Sequence, residues 1–216
     1  MREQADDSTL TAAESLALID QQREQVGKRI EPDAVLVYGT WGLAWAVGFG
    51  GLYLASSGTV DLPLLAAALL FVVMIFSALA ITGIHMARRF RGVRGVSSQV
   101  GAMYGWTWLA GFLAVSVVNG ALAQRGLSDE HMALLGPAGP LLVVGVLYMA
   151  GGAIWRDRIQ YGLGVWILAV DAVAVLAGVP GNYLVMTLAG GGGFLVAASW
   201  FALRRSQEAR RGAVTS

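Results

Sequence analysis

The sequence predicts an all-α integral membrane protein of six transmembrane helices with N-in/C-in topology and a short cytoplasmic amphipathic N-terminal helix. Three observations predict it. The 216 residues are 56% hydrophobic and only 13% charged, where a soluble domain carries about a quarter charged residues. The apolar residues gather into six runs, each reaching the roughly eighteen residues that a helix needs to cross a bilayer. The basic residues fall almost wholly on one side of those runs.

Residues 1–33 read as a polar cytoplasmic segment. Thr11 and Glu14 have the spacing of a capping box, with Leu10 placed as a staple residue. Leu16, Ile19, Val26 and Ile30 then fall near one helical face, so an amphipathic helix is expected over about 12–26. It covers the mouth of its own bundle, lies on the membrane surface, or binds a partner. No basic region followed by an apolar stretch precedes the first span, so no cleavable signal is expected.

The six expected spans are 34–56, 62–86, 100–123, 131–155, 159–179 and 182–203, followed by a basic cytoplasmic tail over 204–216. Asp61 stands where the second span needs an N-cap, with Pro63 in its first turn. The fourth span reaches full length only by including Gly136-Pro137-Ala138-Gly139-Pro140. Pro137 and Pro140 each remove a backbone donor, so this stretch is a kink or a re-entrant break.

Orientation follows from lysine and arginine. Arg2, Arg23, Lys28 and Arg29 precede the first span, and Arg88, Arg89, Arg91 and Arg94 lie between the second and third. Arg156 and Arg158 lie between the fourth and fifth, and Arg204, Arg205, Arg210 and Arg211 follow the sixth. Of the 15 basic residues, only Arg125 falls on the other side. By the positive-inside rule the basic side is the cytoplasm. A multi-pass protein of a bacterial plasma membrane is the expected localisation, the organism being read from the Ala-, Gly-, Val- and Arg-rich composition.

Spans one, three and five each open on Tyr-Gly near tryptophan: Tyr38-Gly39 with Trp41, Tyr104-Gly105 with Trp106, and Tyr161-Gly162 with Trp166. Two readings stand. Either three helical hairpins repeat, or tyrosine and tryptophan collect at the membrane interface, as they commonly do.

The fifth span holds the most unusual residue, Asp171, in an otherwise apolar stretch. Counting along the helix axis puts it about two-thirds of the way across from the basic side. At 100° per residue, Gly164, Asp171 and Gly178 share a face with Ala174 between them, while Trp166, Ala169, Val173 and Leu176 lie opposite. Small residues let a neighbouring helix approach, so the acid is expected to face the bundle. Ser116 and Asn119 of the third span, and Thr187 of the sixth, lie at similar depth and are its expected partners. No basic residue is available there, and desolvation favours a neutral acid. Asp171 is therefore a protonatable group that binds substrate or an ion, or a hydrogen-bonded structural acid.

Gly190, Gly191, Gly192 and Gly193 lie mid-span in the sixth helix. Four glycines weaken a helix, so this stretch is a hinge that exposes backbone groups or a place of close packing. Arg88, Arg89, Arg91 and Arg94 are candidates to contact a cytoplasmic partner or anionic lipid. His85 reads as an interface residue and His131 as the start of a helix. No HExxH, GxSxG or pair of facing acids occurs, so an enzyme is not favoured, and no cofactor or metal site is expected. Cysteine is absent. The expected partners are the lipid bilayer and another membrane or cytoplasmic protein, or a second copy of the chain, but not nucleic acid. Two functions follow: a small subunit of a transport or regulatory membrane complex, or a small secondary transporter or substrate-binding subunit using Asp171.

Overall fold

The computed structural model describes residues 16–18, 21, 33–89, 91 and 96–214. It is all-helical, 90% helix, with no strand among the described residues. Among the described residues, six helices are long and apolar enough to cross a membrane. Of the expected amphipathic helix only Leu16–Leu18 and Gln21 are described, and these are helical; the remainder lies outside the described residues.

The spans are α1 (Ala34–Ser56), α2 (Leu64–Arg89), α3 (Val96–Gln124), α4 (Asp129–Trp155) and α5 (Arg158–Ala177), followed by a composite sixth. That last span opens as α6 (Gly181–Val185), widens into a π-helical segment (Met186–Gly191), and continues as α7 (Gly192–Val214). The helix thus runs on through the stretch expected as a tail.

Local chemistry sets most of the ends. Asp33 caps α1 by accepting from the N–H groups of Val35 and Leu36 at 3.1 and 3.3 Å, two of the donors a helix start leaves free. Ser128 caps α4 in the same way through His131 N–H, and its hydroxyl pairs with His131 Nδ1 at 2.5 Å. Asp157 caps α5 through Ile159 and Gln160. At α2 the expectation fails: the first helical bond runs from Ala67 N–H to the Pro63 carbonyl. Pro63 therefore precedes the helix, and Asp61 makes no capping bond among the described residues. Gly178 is also corrected. It is not on the α5 face but ends the helix at φ 66°, in the left-handed region that favours glycine.

Neighbouring spans are antiparallel and packed through glycine, as expected where lipid offers no hydrophobic drive for association and close van der Waals contact must supply it. A methyl group placed on Gly48 would stand 2.8 Å from Phe71 of α2, and one on Gly42 would stand 2.9 Å from Leu195 of α7. Gly145 and Gly164 bring α4 and α5 together so tightly that a methyl on Gly164 would meet the Gly145 carbonyl at 2.6 Å. The core is the cluster of Trp45, Phe49, Leu141, Ile167, Val170, Ala174, Tyr183, Met186 and Phe194. It draws on α1, α4, α5 and the last span. α2 packs chiefly on α1, and α3 chiefly on α4, where Tyr104 donates to the Leu147 carbonyl at 2.5 Å and stacks edge-on against Trp155. None of the apolar stretch of α3 is buried. The molecule is a four-span core with one helix attached at each flank.

The three Tyr-Gly starts occupy unlike settings. Gly39 faces Ala198, whereas Gly105 and Gly162 have open space before them. α5 packs most extensively on the span before it rather than the one after, which is not the arrangement of three separate hairpins.

Candidate functional site

Asp171 lies on the face of α5 that also carries Gly164, Ile167, Val170 and Ala174, all buried. That face is the one the helical period indicates. Asp171 is 6% exposed, and its Oδ1 is buried without a hydrogen bond. On the opposite face Val173 and Leu176 are exposed to lipid, Leu176 by 86%.

The expected partners are elsewhere. Ser116 is exposed on α3, and Asn119 Nδ2 donates to the Leu135 carbonyl of α4 at 3.4 Å. α3 sits beyond α4, so its polar side chains stop at α4 and do not reach α5. Thr187 donates its hydroxyl to the Tyr183 carbonyl at 2.8 Å, the backward bond that a helical threonine commonly makes. None of the three is hydrogen-bonded to Asp171.

The polar residue that does enter the core is Asn182, 1% exposed. Its Nδ2 donates to the Ala133 carbonyl of α4 at 3.1 Å. That carbonyl lacks its usual helical donor because the residue four positions on is Pro137. α4 nevertheless runs unbroken through Pro137 and Pro140. The side chain of Asn182 thus replaces a backbone bond that proline removed, and its own Oδ1 is left buried without a partner. In sequence Asn182 follows Pro180-Gly181 and stands only as the first residue of the expected sixth span. The signal for it lay in α4, whose prolines leave carbonyls in need of a donor.

The glycine run forms the end of the π-helical segment and the start of α7. A methyl on Gly190 would stand 2.6 Å from the Trp45 ring, and one on Gly191 would stand 2.6 Å from the Ala46 backbone nitrogen. One on Gly193 would lie 2.7 Å from Trp166 Nε1, while Gly192 has open space. The Ala189 carbonyl, within the wide turn, accepts from Trp166 Nε1 at 3.2 Å. Trp166 therefore reaches the last span, although the helical period had set it on the face away from Asp171. Sites where a helix widens to π geometry are often functional.

A second polar junction joins the ends of three spans. The Asp33 N–H donates to His85 Nε2 of α2 at 3.1 Å. Arg205 Nη1 of α7 donates to Asp33 Oδ2 at 3.0 Å. Partial burial opposes the Asp33 charge, but the Arg205 hydrogen bond and charge and the N–H groups of Leu36 and Val35 together outweigh it. The carboxyl is held below its ordinary value of 3.8. The sequence held no sign of this meeting, since Asp33 and Arg205 are 172 residues apart. Arg88 and Arg89 occupy the last turn of α2 beside this junction, Arg91 is exposed just after it, and Arg94 lies outside the described residues.

Surface grooves of about 340 and 350 Å³ lie along α7, the first lined by Leu195, Val196, Ser199, Trp200 and Leu203. Neither reaches Asp171. Among the described residues no group of three or more His, Asp or Glu is placed to hold a metal ion. Compared with protein-family models, curated proteins and solved structures, the chain matches none.

Proposed function

We propose that this polytopic membrane protein is a small subunit of a transport or regulatory membrane complex, with its basic face in the cytoplasm and in contact with a partner. The observation that carries the reading is α3. It is a full-length span with no buried residue in its apolar stretch, attached chiefly to α4. Trp106, Leu113 and Val117 project from it, each more than half exposed. A helix so weakly held by its own chain is suited to lateral packing against another protein. The arginines at the end of α2 supply a second contact on the cytoplasmic side, the side favoured by the basic-residue rule.

The test is a photoreactive amino acid at Trp106, compared with one at Leu65 on α2 as a control for non-specific lateral contact, in cells carrying the native complex. A discrete crosslinked species from position 106, and a matching mass after mild-detergent purification, are expected. A monomer with no crosslink from position 106 overturns the reading.

A second reading rests on Asp171, whose buried oxygen without a hydrogen bond suits a group that takes up and releases a proton or meets a cation. It makes the chain a small transporter or substrate-binding subunit. Asp171→Asn in proteoliposomes separates the two: loss of proton-coupled uptake with folding preserved favours transport, and unchanged behaviour leaves Asp171 a structural acid.

A further inference from the structure

We propose that the outer face of α7 binds one anionic phospholipid, with an acyl chain in the groove of Leu195, Val196, Ser199, Trp200 and Leu203 and the phosphate on Arg204. The groove residues recur at spacings of one and four, so they form one stripe on the helix, and all are exposed. They line a shallow depression of about 340 Å³, broadly open on its outer side. Ser199 does not make it polar, because its hydroxyl donates to the Leu195 carbonyl at 2.8 Å. From Leu195 to Leu203 the stripe runs about 12 Å along the axis, enough to hold the upper part of an acyl chain.

The stripe ends on a cation. Arg204 stands one turn beyond Trp200, with its guanidinium carbon 4.6 Å from the centre of the indole ring. This cation–π contact holds the head over the groove. Arginine has five N–H donors, and those of Arg204 make no hydrogen bond to any described residue. Its neighbour Arg205 differs, being engaged with Asp33. Glu208, one turn further on, forms no ion pair with Arg204 among the described residues. Because Arg205 meets Asp33, the cap of the first span, this level of α7 is the membrane–water boundary. Tryptophan and arginine are at home there.

The occupant follows from charge and place. A groove open to the bilayer interior is filled by lipid, and a guanidinium with no ion-pair partner among the described residues pairs at its interfacial end with phosphate in bidentate fashion. A zwitterionic head group carries its own cation to that position, so the preference is for an anionic lipid. The site is independent of Asp171 and of any protein partner.

The experiment is native mass spectrometry of the full chain extracted from nanodiscs of equal phosphatidylglycerol and phosphatidylcholine. Wild type is expected to retain one phosphatidylglycerol, and Arg204→Gln to lower that retention about tenfold. Ser199→Trp, which fills the groove, is expected to abolish it, with circular dichroism melts checking that both variants fold. Quenching by brominated phosphatidylglycerol is expected to fall in Trp200→Phe. Equal retention of the two lipids by wild type, or unchanged retention in the exposed-site variant Arg204→Gln, overturns the proposal.

Discussion

Replacing Asn182 with alanine removes the side-chain donor that reaches the Ala133 carbonyl across the bundle. A fully buried carbonyl left without a donor costs about 1–3 kcal/mol, and the partly buried Ala133 carbonyl falls at the low end of that range. Hydrogen bonds between membrane helices average only about 0.6 kcal/mol by double-mutant cycle. The substitution also removes the unpartnered Asn182 Oδ1, which offsets part of the loss. A net loss of about 1 kcal/mol is expected. The cause is specific, so it has a specific rescue. Pro137→Ala restores a backbone N–H four residues after Ala133, which satisfies the carbonyl within α4. In that background Asn182→Ala should cost little, giving a coupling of about 1 kcal/mol between positions 137 and 182. Reversible unfolding by sodium dodecyl sulfate in mild detergent micelles, followed by circular dichroism, measures all four variants. An equal loss in both backgrounds would refute the reasoning, because the Asn182 side chain would then act through something other than the carbonyl that proline frees.

Gly191→Ala should destabilise by about 1–3 kcal/mol, the usual cost of overpacking, since its methyl meets the Ala46 backbone nitrogen at 2.6 Å. Gly192→Ala, facing open space, should be neutral or gain up to about 1 kcal/mol; the same unfolding assay fails the packing argument if the two behave alike. Asp33→Asn keeps an N-cap but loses the charge that Arg205 meets. A carboxyl held below its ordinary value stabilises the fold above that value and loses the contribution as pH falls through the lowered one. The advantage of wild type over Asp33→Asn should therefore shrink once pH drops below 3.8, and a melting-temperature difference that stays constant with pH counts against it. The effect is small, because Arg205 is 71% exposed and exposed ion pairs contribute little. Asp171→Leu should raise the melting temperature, because an acid buried without a partner costs stability. A clear fall would reveal a stabilising hydrogen bond.

The period of a helix and the length of a bilayer are local constraints, and what depends on them was legible in the sequence. The first span was readable to its ends, 34–56, because an apolar run of bilayer length fills it, while the Asp33 cap that fixes its start emerged only from the structure. The buried face of α5 was readable from Gly164, Asp171 and Ala174. Partnership was not. In a soluble protein the apolar face of a helix shows which way the neighbours lie. In a membrane both the lipid and the neighbouring helix accept leucine and valine, so α3 looks the same in sequence whether it is central or peripheral. Ser116 and Asn119 matched Asp171 in depth, yet α4 stands between them.

Composition, span count and the direction of Asp171 were thus determined by the sequence alone, since each follows from transfer to a low-dielectric layer of fixed thickness. Only the tertiary structure decided which polar groups meet: Asn182 with Ala133, Trp166 with Ala189, and Asp33 with His85 and Arg205. Those pairings depend on which glycines let which helices touch, and shape complementarity between helices leaves no period in a sequence.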